Sequence, residues 1–203
     1  MNDCCGIILA GGLARRMGGA DKALLELGGT PILARLIARL APQCAALALN
    51  ANGDPARFAA FGAPVVADDV PGFAGPLAGV LAGMDHFARV APTAHYVLSV
   101  PADTPFVPRD LVARLGAARE KAGAQIAVAA SGERDHHAIA LWPIALRGAL
   151  RAALVDEELR KVSGFIARYE SVVVDWPTTP YDPFFNVNKP EDLAQAEAVA
   201  RLL

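Results

Sequence analysis

Short apolar runs recur along this chain with amphipathic segments between them, and that alternation restricts the fold more than any other feature of the sequence. Residues 6–10 (GIILA), 46–49 (ALAL), 65–67 (VVA), 96–100 (YVLSV) and 126–130 (IAVAA) read as buried strands. Thr30 and Pro31 offer an N-cap and a first-turn proline to a helix whose Ile32, Leu33, Leu36, Ile37 and Leu40 share one face. Pro76 opens a second helix, with Leu77, Val80, Leu81, Met84 and Phe87 on one side. Pro108 opens a third, carrying Leu111, Val112 and Leu115. Two more strands, 139–142 and 172–174, and a last helix from Pro190 complete the pattern. Strand and helix alternating at this period imply βαβ crossovers. The expected fold class is α/β, a doubly wound, mostly parallel, Rossmann-like sheet covered on both faces. No repeat, linker or low-complexity tract interrupts residues 1–203, so a single domain is expected.

Composition narrows the functional classes. Hydrophobic residues are 54% and charged residues 20%, which is a globular balance. A net charge of −2 excludes the dense basic face that bulk nucleic-acid binding needs. The chain has 15 Arg against 4 Lys, so a lysine in a loop is more informative than an arginine. Cys4, Cys5 and Cys44 lack metal-site spacing, and Cys4 and Cys5 are expected to pack just before the first strand. The acidic start MNDCC has no basic leader, and no apolar run approaches the ~20 residues of a membrane helix. A cytoplasmic protein is expected, with neither nucleic acid nor membrane as partner.

Polar groups follow one strand after another. Gly11 and Gly12 come after the first, Asn50 and Asn52 after the second, Asp68 and Asp69 after the third, and Asp103 after the Tyr96 strand. In open α/β sheets ligands lie beyond the carboxyl ends of the strands, so these residues converge on one expected site. Asp103, between Pro101 and Pro105, reads equally as a Mg²⁺ carboxylate or as a turn residue. Asn50 suits a base edge or a turn, and Asp68 a ribose or base. Asn186 and Asn188 alternate around Val187 and so face one way, toward a second substrate, a Mg²⁺ shell or a helix cap. His136 and His137 point apart on a strand and make a poor metal pair.

The loop from Gly11 to Lys22 spends four glycines, Arg15, Arg16 and Lys22 directly after a buried strand. Glycines let backbone N–H groups approach an anion, arginines fork onto phosphate oxygens, and lysine adds a point charge. The loop is not G-x-x-x-x-G-K-[ST], because Asp21 precedes Lys22 and Ala23 follows it. It is not G-x-G-x-x-G either, and the second strand ends in Asn50 rather than an acid.

The run LAGGLARRMGGADKALLELGGTPI resembles the L-A-G-G…R-M-G…D-K signature of nucleotidyltransferases that activate small metabolites, and most of all the molybdenum cofactor guanylyltransferases. The resemblance continues in order through Asn50–Asn52, VVADD, GPLAG, PADTPF, ERDHHAIAL and FNVNKPEDL. It implies GMP transfer from GTP to molybdopterin-bound molybdenum cofactor, with release of pyrophosphate and Mg²⁺ as cofactor. It implies GTP contacts on Leu9, Ala10, Gly11, Gly12, Lys22, Asn50, Asp68 and Asp103. Arg16, Lys22 and Asp103 are the implied catalytic residues, with Asp103 the metal ligand and Asn186 and Asn188 at the second substrate. Cofactor-synthesis or acceptor proteins are implied partners. His137 departs from the family's proline, which bears on the loop before the 139–142 strand. Two rival readings remain at this point: a cytidylyl- or sugar-phosphate nucleotidyltransferase, and a nucleotide-binding module without turnover. LAGG in place of LAAG leans toward guanine.

Overall fold

The computed structural model describes residues 3–11, 22–70, 72 and 75–202. The order of elements is β1 (Cys4–Leu9), β2 (Glu26–Leu27), β3 (Thr30–Pro31), α1 (Ile32–Leu40), β4 (Leu47–Asn50), β5 (Val65–Val66) and α2 (Pro76–Val90). Then follow β6 (Tyr96–Pro101), α3 (Leu111–Ala122), β7 (Ile126–Ser131), β8 (Arg134–Pro143), α4 (Arg147–Val155), α5 (Val162–Ile166), β9 (Ser171–Trp176) and α6 (Pro190–Ala200). Seven strands form one sheet in the order β5-β4-β1-β6-β8-β7-β9. Every neighbouring pair is parallel except those made by β8, which runs against both β6 and β7.

Alternation along the strands sends successive side chains to opposite faces. Cys4, Ile8, Leu49 and Leu98 enter the core under α1 and α3, with Leu33, Leu36, Leu111 and Leu115. Cys5, Ile7, Ala48 and Val97 enter the other core, under α2, α4 and α5, with Leu81, Met84, Leu150 and Phe165. Each such fully buried aliphatic or aromatic side chain contributes about 1.5–3 kcal/mol of transfer free energy. The doubly wound, mostly parallel architecture read from the sequence is the one observed.

Several boundaries differ, for physical reasons. Cys4 and Cys5 lie inside β1, each with 0% exposure, rather than ahead of it. Thr30 and Pro31 pair with Glu26 and Leu27 in a small antiparallel hairpin, so Pro31 rather than Thr30 stands at the N-cap, with no side-chain cap bond, and the helix starts at Ile32. Gly28 and Gly29, with φ of 57° and 75°, make the tight turn of that hairpin. Pro108 forms a turn, accepting from Leu111 N, and α3 begins only at Leu111. Strand β8 is longer than its apolar stretch, and its register against β7 shifts between Val128 and Ala129. Beside that shift Ser99 Oγ donates to Ala138 O at 2.8 Å and accepts from Trp142 Nε1 at 2.9 Å. The segment around His137 is therefore strand, not loop.

A small satellite core of Leu27, Ile32, Phe106, Val187 and Ala196 ties the C-terminal segment and α6 to the β2–β3 hairpin. It brings residues 186–188 beside the chain that leaves the glycine loop.

Candidate functional site at the carboxyl edge of the sheet

The central strands β4, β1 and β6 are knitted together beyond their last residues. Ala10 N donates to Asn50 O at 2.8 Å, and Ala102 N donates to Leu9 O at 3.0 Å. Leu9, Ala10 and Gly11 thus sit between Asn50 on one side and Asp103 on the other. Gly12 and Arg16 lie outside the described residues, as does Arg15.

On the β4–β5 side, Asn50 is 3% exposed and its amide is committed within the protein. Asn50 Nδ2 donates to Asp68 Oδ1 at 2.8 Å and to Val66 O at 3.1 Å. Asn52 Nδ2 donates to Asp68 Oδ2 at 2.8 Å, while Asn52 Oδ1 accepts from Asp68 N at 2.9 Å. Both Asp68 oxygens are therefore held, and the carboxylate is fixed before any ligand arrives. The sequence reading placed Asn52 at this edge but gave it no role in holding Asp68. Helix α2 approaches closely here: a Cβ on Gly79 would overlap Asn50 Oδ1 and stand 2.7 Å from Leu9 Cδ2. Only glycine fits that crossing.

On the β6 side, Lys22 Nζ donates to Asn188 Oδ1 at 3.0 Å across 166 residues of sequence. Val187 N donates to Asp103 O at 3.0 Å, which lays the 186–188 segment along the end of β6. Asn188 N and Lys189 N both donate to Asp192 Oδ2, at 2.7 and 2.9 Å, so the first turn of α6 fixes that segment. The structure brings Lys22, Asp103, Asn186 and Asn188 together.

Electrostatics single out Asp103. Burial pushes its carboxyl above the usual range, and the Lys22 ammonium pulls it part of the way back. Asp103 Oδ1 and Asn186 Oδ1 are buried with no hydrogen-bond partner among the described residues. A buried oxygen left unpaired costs about 1–3 kcal/mol, more when charged, and a divalent cation removes that cost. The donors are hard oxygens, and among the described residues no three of His, Cys, Asp and Glu gather into a metal cluster. One carboxylate with remaining positions open fits Mg²⁺, which keeps water and phosphate oxygens in its shell.

Farther along the same edge, Ser131 Oγ donates to Asp182 Oδ1 at 2.7 Å and lies 2.8 Å from His136 Nε2. With its one proton on the carboxylate, Ser131 accepts from His136, so Nε2 carries the hydrogen. Burial holds His136 below its usual pKa, and its ring lies 5.0 Å from Phe184. Asp182 Oδ1 also accepts from Phe184 N at 2.9 Å, fixing the turn that leads to Asn186. His137 Nε2 lies 4.0 Å from Asp135 Oδ2.

A parallel sheet carrying carboxylate, amide and ammonium groups beyond its central strands defines a nucleotide-binding α/β architecture. Residues 6–172 match the MobA-like NTP transferase domain, and the chain belongs to that family of nucleotidyltransferases. A molybdenum cofactor guanylyltransferase of Rhodopseudomonas palustris is 61% identical over 194 residues, covering 96% of this chain and 92% of its own. Among solved structures, molybdopterin-guanine dinucleotide biosynthesis protein A of Archaeoglobus fulgidus superposes with a TM-score of 0.73 at 23% identity, over 98% of this chain and 100% of that one. A Mycobacterium tuberculosis protein crystallised in complex with manganese gives 0.69 at 21% identity, over 97% and 98% of the two chains. At those identities the two structures speak to the fold.

Proposed function

We propose that this chain transfers GMP from GTP to molybdopterin-bound molybdenum cofactor, releasing pyrophosphate and forming the guanine dinucleotide cofactor. The observation that carries the reading is the buried Asp103 Oδ1, without a partner among the described residues and beside Lys22, one strand from the nucleotide end at β1, two from Asn50 on β4 and three from Asp68 after β5. The name and 61% identity of the Rhodopseudomonas relative support the acceptor. Residues 1–203 act as one cytoplasmic nucleotidyltransferase domain, and no helix among the described residues is long and apolar enough to cross a membrane.

In this reading Leu9, Ala10, Gly11, Gly12, Asn50 and Asp68 hold the guanine nucleoside. Lys22 and Arg16 hold the β- and γ-phosphates, and Asn186 and Asn188 face the acceptor. Asp103 would hold Mg²⁺, which would supply charge neutralisation to the phosphates. An oxygen of the acceptor's terminal phosphate forms the new bond to the α-phosphorus, and the bond from that phosphorus to the pyrophosphate oxygen breaks. A phosphate monoester loses its second proton near pH ~6, so the nucleophile is already anionic and needs no general base. Lys22 and Arg16 stabilise the charge that accumulates on the leaving pyrophosphate. The remaining contribution of the protein is alignment.

A nucleotide panel tests the assignment. Purified protein with Mg²⁺ and molybdopterin cofactor should release pyrophosphate from GTP far faster than from CTP or ATP, because a wrong base leaves buried polar groups unpaired. Asn50→Ala should narrow that gap by freeing Asp68. Equal use of CTP would move the assignment to a cytidylyltransferase.

A further inference from the structure

Asp69 stands next to Asp68 on the loop after β5, and its carboxylate is held from outside the nucleotide site. Arg151 Nη2 on α4 lies 2.7 Å from Asp69 Oδ2 and 2.6 Å from Asp85 Oδ2 on α2. Arg147 Nη1 adds a contact of 3.3 Å to Asp85 Oδ1. The Asp85 side chain is 18% exposed and that of Asp69 56%, so the network has a firm end on α2 and a loose end on the loop. The flanking Met84, Phe87, Leu150 and Ala153 are buried in one core, which makes α2 and α4 a rigid frame. Residues 67–70 carry no ladder of their own beyond Val66. Three described attachments hold them: Asn50 and Asn52 on Asp68, Val70 in the core, and Arg151 on Asp69.

We propose that Arg151 is a positioning residue for nucleotide recognition: through Asp69 it fixes the loop that presents Asp68, and so sets the affinity for GTP without touching the reacting phosphates. The proposal rests on the nucleotide site described above. A loop ordered in advance spares the ordering cost on binding, so loosening it raises KM and leaves kcat unchanged. Ion pairs this exposed are also screened by salt. The two residues are 82 positions apart, and neither belongs to a phosphate or metal motif.

Steady-state kinetics with GTP for wild type, Arg151→Ala, Asp69→Asn, the double variant and Asn50→Ala decide the matter. Arg151→Ala and Asp69→Asn should each raise KM for GTP by about three- to fivefold, the weight of an exposed ion pair, at constant kcat and constant Mg²⁺ requirement. The double variant should be no worse than either single one, because both remove the same link. The gap to wild type should close at ~0.5 M salt. Asp69→Asn leaves the Arg151–Asp85 strut in place, so a wild-type KM in that variant reduces Arg151 to a structural tie between helices and overturns the proposal. A fall in kcat at constant KM overturns it too. If Asn50→Ala alone moves the KM, only the Arg151 claim fails; if neither Asn50→Ala nor Asp69→Asn moves it, the nucleotide end is misplaced and both readings fall.

Discussion

Asp103 carries opposing demands that one substitution separates. Its burial raises the carboxyl pKa above the ordinary value near ~4, with Lys22 opposing. A carboxyl with a higher pKa folded than unfolded lends stability that is complete below the unfolded pKa and lost as pH rises through the folded one. Metal-free Asp103→Asn should therefore melt higher than wild type at pH 7, and the difference should close toward pH 4. Mg²⁺ with GTP should raise the melting temperature of wild type more than that of the variant, because the variant lacks the anionic ligand. In assays, the same variant should need more Mg²⁺ for half activity and reach a lower maximal rate. Thermal melts at the two pH values and a Mg²⁺ titration check these outcomes; superimposable titrations would end the metal-ligand role. Lys22→Ala removes a charge-stabilising donor and should cost on the order of 10²–10³ in kcat. It also frees Asn188, whose side-chain oxygen accepts from Lys22 at 3.0 Å, so Asn188→Ala is the companion measurement and should cost much less.

Helix α2 shows what an element contributes beyond its sequence pattern. Its buried face was legible from the spacing of Leu77, Val80, Leu81, Met84 and Phe87, and Pro76 does open it behind Gly75. What the spacing could not tell is how near the helix comes to the sheet. Gly79 faces Asn50 and Leu9, and a Cβ on Gly83 would stand 2.8 Å from Ile7 Cβ. Overpacking of this kind costs about 1–3 kcal/mol, so Gly79→Ala and Gly83→Ala should both lower the denaturation midpoint. Only Gly79→Ala should also weaken GTP preference, since Gly83 meets core and Gly79 meets the nucleotide end. Chemical denaturation and the nucleotide panel on both variants check the contrast. The elements missing from the sequence reading share a cause, which is weak local signal. The hairpin strands β2 and β3 are two residues each, α5 is five, and α4 (RGALRAALV) blurs its Leu150–Ala153–Leu154 stripe with further alanines. The first half of β8 is polar because it runs out to the exposed edge, so only its apolar second half looked like a strand.

At the scale of the whole molecule, the fold turns distant sequence into one edge. The strand-end residues Asn50, Asp68 and Asp103 were legible because a parallel sheet delivers its carboxyl ends to one side. Lys22 was legible from its glycine loop and Asn186 and Asn188 from their alternation, but their meeting was not, since it depends on the satellite core around Val187 and Leu27. The hold of Asn52 on Asp68 and the Arg151–Asp69 link were not legible, because hydrogen-bond partners far apart in sequence leave no periodic trace. The proposed reading joins the two halves of this edge, the fixed carboxylate and amides at β4–β5 and the buried carboxylate oxygen beside a lysine at β6, through a nucleotide lying across β1. The most direct measurement is a single turnover with GTP labelled at the α-phosphate, excess enzyme, Mg²⁺ and molybdopterin cofactor. The label should move into the dinucleotide product while pyrophosphate appears in equal amount. Release of orthophosphate, or recovery of bound and unchanged GTP, would contradict nucleotidyl transfer.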